Sequence, residues 1–170
     1  PIMHLVPLLT DKDFSLEFAT SVLMLLMFCG AFGRVLGGML GDHIGALPGY
    51  ILMSIGQTIF VVWFPQLISP LAIYIMAALF GFTYSGVMSS ILVCTRTMVS
   101  ARYGARAMSL TSFFGWIGMG LGGFLGGYFF DIYGNYNWAF LFAGISGIIN
   151  LIILLFFTLY IKRRRTLVPG

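Results

Sequence analysis

Long runs of apolar residues, separated by short polar segments, form the dominant pattern along this chain of 170 residues. Four complete runs have 24 residues and one has 20, and about 20 residues carry a helix across the hydrocarbon core of a bilayer. Only one charged side chain, that of Arg34, falls inside them. Because a backbone in lipid must satisfy its own hydrogen bonds, we predict helices rather than open strands. The predicted spans are residues 18–41, 45–64, 71–94, 107–130 and 138–161.

The opening residues 1–9 are also apolar, and we interpret them as the end of a sixth helix whose beginning is missing. The pattern therefore predicts an all-α, polytopic membrane protein. Its transmembrane helical bundle covers residues 1–161, with five complete spans plus the end of a sixth. Residues 162–170 form a basic tail.

Composition supports a membrane protein. The chain is 59% hydrophobic and 8% charged, whereas soluble domains carry about 25% charged residues. So little charge could not cover a surface that faces water. Soluble enzymes, disordered tails and nucleic-acid binders are therefore poor interpretations, and the net charge of +4 does not indicate a nucleic-acid partner.

The distribution of charge between the loops predicts the topology. Alternate loops sum to −3, whereas the remaining loops and the tail sum to +6. Positive residues concentrate on the cytoplasmic side of membrane proteins. We therefore expect an integral, multi-pass protein of a plasma or inner membrane, with the 96–106 loop and the C-terminus in the cytoplasm. The basic tail is better explained as a positive-inside anchor than as a lipid or nucleic-acid patch.

Two spans carry glycines at three- and four-residue spacing, which places them on one side of a helix and lets another backbone approach closely. The stripes are Gly30, Gly33, Gly37 and Gly41 in the first complete span, and Gly115, Gly118, Gly122 and Gly126 in the fourth.

Arg34 is the residue that most directly suggests a function. No acidic residue falls within any span, and Asp42 lies about two turns further along, at the mouth of the helix. Charges inside a membrane are costly and usually functional. Either a missing part of the protein supplies a carboxylate, or an anionic substrate does, because the planar guanidinium suits a carboxylate. In the alternative interpretation, Arg34 snorkels to the inner mouth and braces a loop.

Other polar residues lie at similar depths. Tyr84 and Trp116 fall near the middle of their spans, and His4 falls in the outer half. Several polar groups at one level are what a central binding site needs. Histidine is the side chain that most readily changes charge near neutral pH, so His4 could act as a polar or protonatable gate. The spans contain neither a catalytic triad nor a metal-ligand cluster, so we expect no enzyme activity, no metal and no cofactor.

The segment G-R-V-L-G-G-M-L-G-D-H-I-G, Gly33 to Gly45, resembles the G-x-L-x-D-r-x-G signature of the major facilitator superfamily. Two further segments, H-L-V-P-L-L-T-D and G-G-F-L-G-G-Y-F-F-D-I-Y-G-N-Y-N-W-A-F, are similar to the seventh and the eleventh-to-twelfth helices of monocarboxylate-porter-like and oxalate–formate-exchanger-like members. The resemblance implies the C-terminal six-helix half of such a transporter, with the missing N-terminal half as its partner. It also assigns Gly38, Asp42 and Gly45 to the family's conformational gating motif.

The same resemblance implies that Arg34 binds a substrate carboxylate and that His4, with Tyr84 and Trp116, lines the pocket. Two departures matter. Gly30 replaces an acidic or amide residue, and the cation of oxalate exchangers is absent from residues 107–130, which disfavours a dianion. We therefore expect alternating-access transport of a small organic anion, a monocarboxylate, by proton symport or exchange.

Two alternatives remain open at this stage. Arg34 could be structural in a transporter of a neutral or zwitterionic solute, with acidic residues of the missing half as its partners. The chain could also belong to a membrane protein that assembles with or senses a partner and transports nothing. The expected partners are the organic anion, membrane lipid and the missing half, with no nucleic acid.

Overall fold

The computed structural model describes the backbone of residues 2–167 and the side chains of residues 2–163. These residues form six α-helices and three single-turn 3₁₀ helices, without a strand, which confirms the predicted all-α class. The 3₁₀ helices are Ile2–His4, Phe64–Gln66 and Ala101–Tyr103. The α-helices are α1 (Leu5–Thr10), α2 (Leu16–Ile44), α3 (Ala46–Trp63), α4 (Pro70–Met98), α5 (Gly104–Tyr133) and α6 (Asn137–Leu167).

Five of these helices, α2 to α6, are long and apolar enough to cross a membrane. Four of them extend beyond the apolar runs of the sequence, because the polar ends of a helix can continue past the hydrocarbon layer while hydropathy marks only the embedded part. The helix α6 continues to Leu167, so most of the predicted tail is helical. Pro1 of the predicted partial span and residues 168–170 of the tail lie outside the described residues.

The connections between helices are short. Ser15 caps α2, and its Oγ accepts a hydrogen bond from the backbone nitrogen of Phe18 over 3.2 Å. A single residue, Gly45, joins α2 to α3 with φ at 97°, a conformation that favours glycine because it has no Cβ. The two helices therefore form a tight antiparallel pair.

The helix α4 occupies the centre of the bundle and packs against α2, α3 and α5. The helix α3 also packs on α6, whereas α5 contacts α4, α6 and the 3₁₀ turn that precedes α1. Within the described chain α5 is the most open of the long helices, with one buried residue, Gly126. One broad face of α5 is therefore left uncovered by the other described helices.

Lys12 ties two loops together at one end of the bundle. Its Nζ donates hydrogen bonds to the carbonyl oxygens of Pro65 and Leu67, the latter over 2.8 Å. Burial lowers the pKa of Lys12 below its ordinary value. The loop between α1 and α2 is thereby held against the connection between α3 and α4.

Candidate substrate site

The glycine stripe of α2 forms a close seam with α4. All four glycines are buried, and they face Phe82, Ser85, Gly86 and Val93 of α4. A Cβ at Gly37 would lie 2.8 Å from the Cα of Gly86, and one at Gly33 would overlap the carbonyl oxygen of Phe82. The structure confirms the predicted close approach and identifies α4 as the partner.

Arg34 lies beside this seam, and its side chain is exposed within the described chain. Among the described residues, it forms no ion pair with a carboxylate. Its positive charge acts electrostatically on the phenol of Tyr84 on α4. A fixed positive charge is therefore presented from an apolar span without an acidic neighbour in this part of the protein.

Tyr84 lies on α4, the helix that packs against α2 along the glycine seam. Its side chain is half-buried, and its ring packs against that of Phe80 with centroids 5.8 Å apart. The ring is therefore supported from one side while its hydroxyl lies within the field of the guanidinium. Together they present a cation and a hydroxyl donor, two groups that can bind a carboxylate.

His4 contacts a different helix. Its Nε2 lies 2.9 Å from the carbonyl oxygen of Gly123 on α5 and donates the hydrogen bond, because a carbonyl can only accept. Its ring occupies the space next to Gly126 and stacks on Tyr136, with centroids 5.2 Å apart. The described contacts of His4 thus attach the 3₁₀ turn before α1 to α5, and they include neither Arg34 nor Tyr84.

Tyr136 is a residue that the sequence interpretation missed. It is buried between His4 and Phe130, and its ring stacks on that of Phe130 at 4.5 Å. Burial raises the pKa of Tyr136, and the carboxylates of Asp11 and Asp131 raise it further. The sequence offered one sign that Tyr136 is buried: it is an aromatic residue in a short loop next to a glycine-rich helix. The polar residues around it in that loop favoured an exposed position instead.

Trp116 lies on the open face of α5. Its side chain is 71% exposed, and nothing lies within 4 Å of a Cβ built at Gly115, Gly118 or Gly120. Of the glycines on this helix, only Gly123 and Gly126 meet another element, through Met3 and His4. Among the described residues, the structure does not place Trp116 against Arg34 or Tyr84. The helices α2 and α5, which carry Arg34 and Trp116, both pack against α4.

The three residues of the predicted gating motif lie where α2 ends. Gly45 forms the turn, the side chain of Asp42 is exposed, and nothing lies within 4 Å of a Cβ at Gly38. Asp42 forms no ion pair within the described part of the chain. The positive φ of the turn accounts for a glycine at position 45, whereas no contact among the described residues accounts for a glycine at position 38.

Five membrane-length helices and a charged residue within one of them define an integral, multi-pass α-helical membrane protein. The family model of the Major Facilitator Superfamily matches residues 1–169, and the chain belongs to this family of membrane transporters. Comparison with curated proteins and with solved structures gave no match. The resemblance of the Gly33–Gly45 segment to this superfamily is thus confirmed.

Proposed function

We propose that this protein is a secondary transporter of a small organic anion with a single carboxylate, and that Arg34 binds the carboxylate. One observation carries the proposal: the guanidinium lies in an apolar span, within electrostatic range of the phenol of Tyr84 and without a carboxylate partner among the described residues. An uncompensated charge within a membrane is costly, so a charged ligand that neutralises it binds with a large favourable energy. The forked guanidinium pairs with a carboxylate through two parallel hydrogen bonds.

Tyr84 would supply a hydroxyl donor within electrostatic range of the guanidinium. Trp116 lies apart from both residues in the described chain, on the open face of α5, and would line the substrate pathway as an apolar wall. The long helix α5 carries no second cation between residues 107 and 130, which favours a monocarboxylate over a dianion. His4 would act as an outer gate, because it joins the start of α1 to α5 through one hydrogen bond. A proton on its imidazole would couple this contact to proton symport or exchange.

Alternating access requires a second bundle, which the missing N-terminal half would provide. The two halves would rock around a central site, with the Gly38–Gly45 segment at the inner mouth. The loop charges favour a cytoplasmic C-terminus. In the second candidate function, a carboxylate from that half pairs with Arg34 and the solute is neutral or zwitterionic; the exposure of Arg34 within this chain leaves room for such a partner.

The test is uptake of radiolabelled monocarboxylates, dicarboxylates and neutral solutes by the full-length transporter in proteoliposomes. We expect Arg34→Gln to lower monocarboxylate kcat/KM by at least about 30-fold, as expected when one partner of a desolvated charge pair is lost. Arg96→Gln, which removes an exposed arginine at the end of α4, is the matched control and should transport normally. Unchanged kinetics in Arg34→Gln, or uptake confined to neutral solutes, would refute the assignment.

A further inference from the structure

A long apolar groove runs between α2, α3 and α4. Its volume is about 670 Å³, and it is open along one side of the bundle. Phe82 and Thr83 of α4 line it. The lining also includes four exposed apolar side chains, Leu36 and Met39 from α2 and Leu52 and Ile55 from α3, together with His43 in the last turn of α2.

The groove lies on the side of α2 that is opposite to Arg34. An α-helix turns by about 100° per residue, so His43, nine positions after Arg34, points about 180° away from it. Leu36 and Met39 are rotated from Arg34 by about 160° and 140°. If Arg34 faces the substrate pathway, as the proposed function requires, this face of α2 is turned towards the lipid.

The groove suits a hydrocarbon chain with one polar contact at its end. The hydroxyl of Thr83 already donates to backbone carbonyls of its own helix, those of Leu79 at 3.0 Å and Phe80 at 3.2 Å. His43 therefore provides the free hydrogen-bonding side chain of the lining. It lies at the end of α2, the depth at which phospholipid phosphates lie when the helix spans the bilayer.

The lining is poorly suited to another helix. Helices that dock in membranes bury small residues, which let the two backbones approach. The groove contains one glycine, Gly56, and the space beside it is already filled, since a Cβ there would lie 2.6 Å from Cγ2 of Thr83. Leu52 and Leu36, which are 53% and 46% exposed, project instead as flexible walls. A flexible acyl chain fits between such walls better than a rigid helix does.

We propose that this groove binds one acyl chain of a phospholipid from the leaflet at which α2 ends, and that the phosphate of that lipid accepts a hydrogen bond from His43. The distance along α2 from Leu36 to His43 is about 10 Å, compared with about 15 Å for one leaflet of the hydrocarbon core. The lipid site lies on the face of α2 opposite to the substrate site. It rests on the proposed function in one respect: Arg34 must face the substrate pathway for the groove to face the lipid.

The test uses the full-length transporter in nanodiscs that contain a phospholipid with a photoactivatable diazirine in its acyl chain. After illumination, labelled peptides are located by mass spectrometry. We expect enrichment of label on the groove segments of α2 and α3 over the exposed apolar segment around Leu155 of α6. Leu52→Trp, which fills the groove, should reduce the groove label by about tenfold or more. Leu155→Trp is the matched control, because Leu155 is 57% exposed and lies outside the groove, and it should leave the groove label unchanged.

His43→Phe keeps a ring and removes the donor, so groove labelling should fall by about fivefold, the effect of one hydrogen bond. Equal labelling of the groove and the Leu155 segment, or no effect of Leu52→Trp, would overturn the proposal. Crosslinks from groove residues to another protein segment in place of lipid would also overturn it. Arg34→Gln should keep the groove label, because Arg34 lies outside the groove. Absence of groove labelling in the wild type would therefore refute the lipid site alone, and unchanged transport by Arg34→Gln would refute the proposed function alone.

Discussion

The Nε2 of His4 donates a hydrogen bond to the carbonyl oxygen of Gly123 across 2.9 Å, and this contact joins the first described turn of the chain to α5. The imidazole then lies over Gly126, one helical turn further on, where a larger residue would occupy its place. The stacking of His4 on Tyr136 holds the ring from the other side. The attachment of α1 to α5 therefore depends on a glycine as well as on a histidine.

The first prediction concerns this joint. A Cβ at Gly126 would overlap the His4 ring, so Gly126→Ala should destabilise the protein by about 1–3 kcal/mol, the usual cost of overpacking. Gly118→Ala is the control, because among the described residues nothing lies within 4 Å of a Cβ at Gly118 and alanine is the better helix former. Thermal unfolding of the full-length protein in detergent checks both. Equal melting temperatures for the two variants would show that His4 does not occupy this position.

The second prediction concerns the seam between α2 and α4. Gly33→Ala should lower the free energy of unfolding by about 1–3 kcal/mol, because its methyl group would meet the backbone carbonyl of Phe82, which cannot rotate away. Within the described chain, the methyl group of Gly38→Ala, five residues further along the same helix, meets nothing, so this variant should change stability by less than about 0.5 kcal/mol. Chemical unfolding of both variants in the same detergent is the measurement. An unchanged free energy of unfolding in Gly33→Ala would contradict the close approach of α2 to α4.

The third prediction concerns the hydroxyl of Tyr84. If this hydroxyl donates to the substrate carboxylate, Tyr84→Phe should raise KM by about fivefold with little change in kcat, as expected for one lost hydrogen bond. Tyr74→Phe is the control on the same helix, because it also removes a tyrosine hydroxyl, one that is hydrogen-bonded to Ser21. Uptake kinetics in proteoliposomes distinguish the two. An unchanged KM in Tyr84→Phe would remove Tyr84 from the site and leave the role of Arg34 open.

The fourth prediction concerns alkaline pH. Burial raises the pKa of Tyr136 in the folded protein above the ordinary value of 10.0. Above pH 10.0 the unfolded chain loses this proton before the folded protein does, so this residue's contribution to stability falls as pH rises towards its folded pKa. Below pH 10.0 both states hold the proton and the residue adds no pH dependence. Tyr136→Phe should therefore show a smaller loss of melting temperature between pH 9 and pH 11 than the wild type. Equal losses would contradict a raised pKa.

The spans, the class of fold and the superfamily could be predicted because each depends on local pattern. An apolar run long enough to cross a bilayer must form a helix there, whatever its neighbours are. The turn at Gly45 was likewise part of a recognisable motif. The contacts of His4 could not be predicted, because they join residues more than a hundred positions apart and depend on a loop tyrosine that folds inwards.

The hydropathy pattern alone identifies five helices within the described chain that are long and apolar enough to cross a membrane, and one arginine within the apolar spans. Which faces of the helices are covered depends on packing between helices, which the pattern does not show. The glycines of α2 and α5 have similar spacing, yet α4 covers the first stripe and leaves most of the second open. The physical reason is that spacing shows where a backbone can approach, whereas the packing of all helices together selects which backbone does so.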